Sequence, residues 1–150
     1  MQEILARIMI AEQIYAYATA LDEKNWEGLN LVFTDDAETS YGSNDGETPF
    51  KCKNREEIIK MCIDGLSDVG ITQHLFTNII VKVKGDTATS KCSALIQHAS
   101  KYSSVIKSYE MWGNYTDSWI FINNTWKIKN RKLSVIKEFG DISIEELNEV

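Results

Sequence analysis

Two histidines are the residues of this sequence best suited to acid–base chemistry. His74 lies in TQH, near the start of one strand-like segment, and His98 lies in LIQH, within another; the chain has two histidines in 150 residues. Asp22 and Tyr41 stand at the ends of predicted elements. An imidazole titrates near neutral pH, and a carboxylate can orient it and stabilise its charged form. A tyrosine hydroxyl can polarise a carbonyl. These residue types together predict proton transfer beside a carbonyl group.

The same residues also fit structural roles. A strand histidine is often only hydrogen-bonded into the core, Asp22 is a suitable cap for a following helix, and Tyr41 fits a packing residue. A metal site made of His74, His98 and Asp22 is the third possibility, but no local ligand motif supports it. Only the positions of these side chains can decide between these roles.

The elements that must position these residues follow from periodicity. Apolar residues recur at helical spacing over residues 3–20, a second short helix fits EKNWEGLNLVF, and a third, capped by Asn54, fits NREEIIKMCIDGL. Four long β-rich segments follow after Gly70, with hairpin turns predicted at residues 85–86 and 123–124. This order predicts an α+β domain, taken as one unit over residues 1–150, with a curved antiparallel sheet packed on N-terminal helices around a pocket.

Strand alternation assigns side chains to the pocket. One face of the 72–84 strand carries His74, Phe76, Asn78 and Ile80, and one face of the 87–101 strand carries Cys92, Ala94, Ile96 and His98. One face of the 106–122 strand carries Tyr109, Met111, Gly113, Tyr115, Asp117 and Trp119. A β-bulge would exchange the faces of a strand. The predicted substrate-binding residues on the three long strands are Phe76, Asn78, Ile96, Met111, Tyr115 and Asp117.

Composition limits the partners and the compartment. The net charge is −6 without a basic block, which argues against nucleic acid and anionic membrane as partners. No apolar run is expected to span a bilayer, and the N-terminus lacks the pattern of a secretory signal. Cys52, Cys62 and Cys92 lack a CxxC spacing, so free thiols in the cytoplasm are predicted. A sheet face with Leu95, Trp112 and Ile120 predicts a homodimer or homotrimer, and the sequence does not choose between them.

Three fragments carry a resemblance to a known family. They are YATALDEKNWEGLNLVFTDDAETSYG, GITQHLFTNIIVKVKGDTATSKCSALIQH and WKIKNRKLSVIKEFGD. Over about residues 3–140 the chain resembles the SnoaL-like branch of the nuclear transport factor two-like superfamily. Within that branch it is similar to scytalone dehydratase and the bile acid 7α-dehydratases, with ALDEKNW and TQH as the most specific fragments.

The resemblance implies a conical α+β barrel with the active site inside the cone. It implies functional roles for both histidines, with Asp22 holding His98 and Tyr41 polarising a substrate carbonyl through water. Tyr17, Asp22 and His74 match a Tyr–Asp–His set of the bile acid enzymes. Leu21 replaces a tyrosine of scytalone dehydratase, and Tyr17 is then the candidate for that hydroxyl.

Two charged residues have weaker matches to the family. Asp117 falls near a substrate-binding position. Arg131 matches a late-strand arginine, although its neighbours Lys127, Lys129 and Lys132 also fit a solvated charge or an interface residue.

The expected function is a hydro-lyase without metal or organic cofactor. Its substrate is expected to be a small hydrophobic cyclic molecule with a hydroxyl β to a carbonyl, from which His98 takes a proton. Two alternatives stay open: a SnoaL-like cyclase or ketosteroid-isomerase-type isomerase using the same groups, and a non-catalytic module for binding or interaction. The superfamily's diversity means that the fold alone does not decide.

Overall fold

A computed structural model describes residues 2–42, 49–99 and 108–140 of the chain. These residues form three helices and six strands. The helices and two strands come first, and the last four strands are long and consecutive. A 3₁₀ turn, Trp26–Gly28, precedes the second helix. The elements are α1 (Gln2–Asp22), α2 (Leu29–Val32), β1 (Phe33–Gly42), β2 (Phe50–Cys52), α3 (Arg55–Leu66), β3 (Ile71–Lys84), β4 (Thr87–Ala99), β5 (Ser108–Ile122) and β6 (Thr125–Gly140).

The helix α1 is the core helix of the domain. Ile10 and Ile14 have no exposed surface, and Leu21 is also buried. By length and composition α1 could also cross a membrane, a test that core helices pass as well. The expectation that no segment is long and apolar enough is therefore wrong for α1, because its charges are widely spaced. The third helix begins as predicted: the Asn54 side chain accepts from the Glu57 backbone N–H at 2.9 Å.

The six strands form one sheet in the order β2-β1-β6-β5-β4-β3. The four long strands pair antiparallel, and their tight turns place Gly85, Asn123 and Asn124 at positive φ, as predicted from the sequence. Strand β1 pairs parallel with β6, so the sheet is mixed. A hairpin turn forces antiparallel pairing, whereas β1 and β6 are far apart in sequence and no turn sets their relative direction.

The faces predicted for β4 and β5 are correct, and that of β3 is correct only in its first half. His74 and Phe76 are buried, but the register shifts between Thr77 and Ile80, where Asn78 has a φ of 53°. This bulge turns Asn78 outward, where it lines a groove between β3 and α1. Ile80 is 62% exposed, and Val81 takes the core position. Asn78 is therefore not placed to bind a substrate inside the fold.

The outer face of the sheet is only partly apolar. Trp112 is 46% exposed and its ring centroid lies 5.3 Å from that of Phe139. Leu95 and Ile120 are half-buried. Association of two or three copies through this face stays a prediction.

Candidate active site

The end of α1 brings an aspartate against the edge strand β3. Oδ1 of Asp22 lies 2.6 Å from Nδ1 of His74, and Oδ2 accepts the His74 backbone N–H at 3.0 Å. The Thr72 hydroxyl donates to Oδ1 at 3.1 Å. Because an ionised carboxylate only accepts, Nδ1 of His74 carries the proton and Nε2 keeps a free lone pair. The pair is an imidazole oriented for use as a base.

The predicted pairing of Asp22 with His98 is wrong. In the sheet, His98 stands opposite Thr72 on β4, one strand farther from α1 than His74. Because α1 packs against β3, the carboxylate of Asp22 at the end of α1 contacts His74 on β3 and not His98 on β4. The rings of His74 and His98 are 5.9 Å apart between centroids, so the two imidazoles are neighbours.

His98 is half-buried, and no acid pairs with its imidazole among the described residues. Its ring lies 5.3 Å from that of Tyr109, and its Nε2 has no hydrogen-bond partner within the described ranges. Burial, with help from His74 and Lys24, lowers the pKa of His98 to about 4, and Asp22 opposes the shift. Burial also lowers the pKa of His74, although the bond to Asp22 opposes it. Both imidazoles are therefore neutral at pH 7.

A second polar cluster lies deeper in the fold. Arg131 and Asp117 have no exposed side-chain surface and form two bonds, Nε to Oδ1 at 2.8 Å and Nη2 to Oδ2 at 2.9 Å. The guanidinium carbon lies 4.1 Å from the centre of the Tyr17 ring and 4.8 Å from that of Tyr115. Burial is the largest single effect and lowers the pKa of Arg131, but the charge and hydrogen bonds of Asp117, together with Tyr17 and Tyr41, outweigh it and raise that pKa well above its usual value. Arg131 is thus neither solvated nor at the surface, and Asp117 positions it instead of presenting a free carboxylate.

Two polar groups of this cluster are left for an acceptor. Nη1 of Arg131 and the Tyr41 hydroxyl are buried without a hydrogen-bond partner among the residues that the structure describes. Thr39 Oγ1 lies near the Tyr41 hydroxyl and partly opposes the rise in the Tyr41 pKa. Like that hydroxyl, Thr39 Oγ1 has no partner in hydrogen-bond geometry among the described residues. Burial, followed by Tyr115, raises the Tyr41 pKa, so this hydroxyl stays protonated and able to donate.

The structure thus divides the predicted site into two clusters. In the strand register, His74 on β3 pairs with Ile96 on β4, which in turn pairs with Met111 on β5. Arg131 on β6 pairs with Asp117 on β5. Asp117 follows Met111 by six residues on β5, about 20 Å along a strand. The histidine cluster consists of Asp22, His74 and His98. The arginine cluster consists of Tyr17, Tyr41, Tyr115, Asp117 and Arg131.

Apolar side chains connect the two clusters. Phe76 lies next to His74 on the same face of β3, and its ring centroid is 5.1 Å from that of Tyr115 and 6.0 Å from that of Tyr17. Ile96 and Met111 are buried at the level of the histidines. These predicted substrate-binding residues lie where an apolar ring between the clusters would touch them.

Two polar neighbours of the histidine cluster were not predicted. Thr72 stands two residues before His74, so strand alternation alone would place both on one face. Lys24 donates from Nζ to the Thr72 hydroxyl at 3.2 Å. No sequence pattern indicates this contact, because it depends on the turn that follows α1.

The chain resembles known proteins over nearly its full length. The profile of the SnoaL-like domain matches residues 2–132. An uncharacterized protein of Mycobacterium tuberculosis is 28% identical over 134 residues, covering 86% of this chain and 84% of that protein.

Solved structures with the same architecture include two with informative names. One, from Novosphingobium aromaticivorans, is named provisionally as a scytalone dehydratase: TM-score 0.80, 23% identity, 94% of this chain and 91% of that one. The other is a hexachlorocyclohexane dehydrochlorinase, LinA type 2: TM-score 0.76, 16% identity, 94% and 92%. At these identities the likeness shows the fold and leaves the reaction to the site.

Proposed function

This chain belongs to the SnoaL-like domain family and has its cone-shaped α+β fold, and we propose that it is a lyase that eliminates water from a cyclic β-hydroxy carbonyl compound. The observation that carries the proposal is the Asp22–His74 pair beside His98, with His74 buried and Asp22 and His98 half-buried. His74 takes the place that the sequence assigned to His98, because the carboxylate supports His74.

The first step is removal of the proton α to the carbonyl. The free lone pair of His74 Nε2 takes that proton, and Asp22 stabilises the resulting imidazolium through the 2.6 Å bond at Nδ1. The C–H electron pair moves toward the carbonyl, whose oxygen gains negative charge. A neutral imidazole can donate an N–H to such an oxygen, and the low pKa of His98 keeps it neutral for this role.

The second step releases water. The C–O bond to the β-hydroxyl breaks as the carbon–carbon double bond forms, and the His74 imidazolium gives its proton to the departing oxygen. Water leaves and His74 returns to its neutral form, so protons and electrons balance without another reactant.

The arginine cluster suits the far end of the substrate. Tyr41 and Nη1 of Arg131 offer donors to an acceptor such as a second carbonyl or a carboxylate, at a distance from the histidines. Phe76 and Tyr115, whose rings are in edge contact, offer an apolar surface to one side of the substrate ring. In this arrangement Tyr41 and Arg131 anchor the substrate, the Tyr17 ring supports the guanidinium, and enolate stabilisation is left to His98.

The name of the LinA neighbour adds a second leaving group to consider. The name dehydrochlorinase describes an enzyme that eliminates HCl. An imidazole supported by an aspartate is a suitable base for that reaction as well. Chloride can depart without being protonated, whereas a hydroxyl group must receive a proton so that it leaves as water. Halogenated cyclic compounds therefore form a second arm of the substrate screen.

The test is a screen of cyclic β-hydroxy ketones and cyclohexyl chlorides, read by mass spectrometry for loss of one water or of HCl. On a compound that turns over, we expect His74→Gln to lower kcat by about 10²–10⁴-fold. Asp22→Asn removes one charge-assisted bond of about 1.5–3 kcal/mol, which predicts a loss of about 10- to 150-fold. Asp64→Asn, at an exposed carboxylate, is the matched control and should keep wild-type turnover.

The alternatives give different outcomes in the same screen. A product of unchanged mass supports the cyclase or isomerase. Binding that survives both His74→Gln and His98→Gln, with no turnover of any compound, supports the binding module. Full activity of His74→Gln refutes the assignment of the base.

A further inference from the structure

The turn after α1 holds a lysine in an unfavourable backbone conformation. Lys24 has a φ of 57°, and its N–H bonds back to the Leu21 carbonyl at 3.2 Å. Glycine or asparagine is preferred at such a helix end, because a longer side chain in the left-handed region costs about 1 kcal/mol or more. The lysine side chain is directed to Thr72. Its presence here therefore requires an explanation other than the stability of the turn.

Donor and acceptor rules give the contacts one direction. An ammonium group can only donate, so the Thr72 oxygen is the acceptor at 3.2 Å. The single hydroxyl hydrogen of Thr72 is then free to point to Asp22, at 3.1 Å. Asp22 can only accept, so the hydrogen between it and His74 belongs to Nδ1. The chain runs from Lys24 through Thr72 to Asp22, and from the opposite side His74 donates to the same carboxylate.

We propose that Thr72 and Lys24 are positioning residues, which hold the Asp22 carboxylate so that His74 stays in the tautomer with a free Nε2. Thr72 is 8% exposed, so water competes little for its hydroxyl. A carboxylate held by three donors has little freedom to rotate away from His74. The importance of this tautomer for turnover rests on the proposed function, whereas the tautomer itself can be measured in the free protein.

The charge of Lys24 adds an electrostatic effect. It contributes to the lowered pKa of both His74 and His98, in each case after the effect of burial. Tyr109, beside His98, donates its hydroxyl to Glu138 at 2.5 Å. Among the residues that the structure describes, the titratable groups that act on or contact the two imidazoles are Asp22, Lys24 and Tyr109, and Glu138 acts through Tyr109.

The experiment measures histidine nitrogen shifts and titrations by NMR in the free protein. In the wild type we expect His74 protonated at Nδ1. Thr72→Val, which keeps the shape and removes the hydroxyl, should populate the other tautomer, and Thr72→Ser should restore the wild-type signal. Lys24→Gly should raise the pKa values of both histidines, because a nearby positive charge is lost.

Stability distinguishes positioning from a purely structural role. Lys24→Gly relieves the left-handed strain and should be as stable as the wild type or more so, so an altered titration cannot come from unfolding. Wild-type tautomer and pKa values in both Thr72→Val and Lys24→Gly would overturn the proposal. So would an Nε2-protonated His74 in the wild type. If the tautomer shifts as expected but no compound turns over, the positioning holds and the proposed reaction is at fault.

Discussion

Replacing Asp117 by Asn should cost a large part of the stability of this protein. The Asp117 and Arg131 side chains have no exposed surface, so the variant leaves a buried guanidinium charge without its counter-ion. Breaking such a pair costs about 3–5 kcal/mol. The Tyr17 and Tyr115 rings against the guanidinium still stabilise the charge, so we expect about 3 kcal/mol.

Urea unfolding followed by tryptophan fluorescence measures this loss. For a domain of this size a loss of about 3 kcal/mol lowers the melting temperature by about 6–12 °C. The double variant Asp117→Leu/Arg131→Met removes both charges and should return to within about 1 kcal/mol of the wild type, since apolar replacement of a buried pair is often neutral. Asp36→Asn, which breaks the exposed pair with Lys129, is the control and should unfold at nearly the same urea concentration as the wild type.

Two results would contradict a buried, charge-stabilised ion pair between Asp117 and Arg131. If Asp117→Asn cost less than about 1 kcal/mol, the guanidinium would have access to water and the arginine cluster would not be buried. If the double variant were as unstable as the single one, packing and not charge would explain the loss.

Three further predictions concern pH, thiols and packing. Unfolded His98 takes up a proton near pH 6.5 and the folded form only near pH 4, so stability to urea should be complete above about pH 6.5 and fall as the pH drops toward 4. Burial raises the pKa of Cys62 to about 12 and of Cys92 to about 11, so both should react with a disulfide reagent at pH 8 only after unfolding. Gly113→Ala places a Cβ 2.8 Å from Cδ1 of Leu133 and should lower the free energy of unfolding by about 1–3 kcal/mol, seen in a thermal melt.

Each of these has an outcome that would contradict it. A His98→Gln variant that loses less stability than the wild type between pH 7 and 4 supports the first, and identical pH profiles for both refute it. Rapid labelling of the folded thiols refutes the second. A Gly113→Ala variant that melts with the wild type would mean that Leu133 repacks without cost.

The sequence by itself determined the three helices, the four long strands and most of the faces of those strands, but not the short strand β2. Period-2 alternation placed His98, Ile96 and Met111 inside because a strand with one buried face repeats every second residue. Local chemistry also determined the Asn54 cap and the asparagine turn at 123–124. The prediction failed at Asn78, since one extra residue in a bulge reverses the face of everything that follows and leaves little trace in the pattern.

Only the tertiary structure decided which groups act together. Asp22 pairs with His74 and not with His98, because α1 packs on the edge strand β3, and that choice depends on packing between elements far apart in the chain. Strand register likewise set Arg131 beside Asp117 and away from the histidines. Residue types and spacing indicate that acid–base chemistry is available. Which of these groups contact each other depends on distances of a few ångströms, and only the folded chain defines those distances.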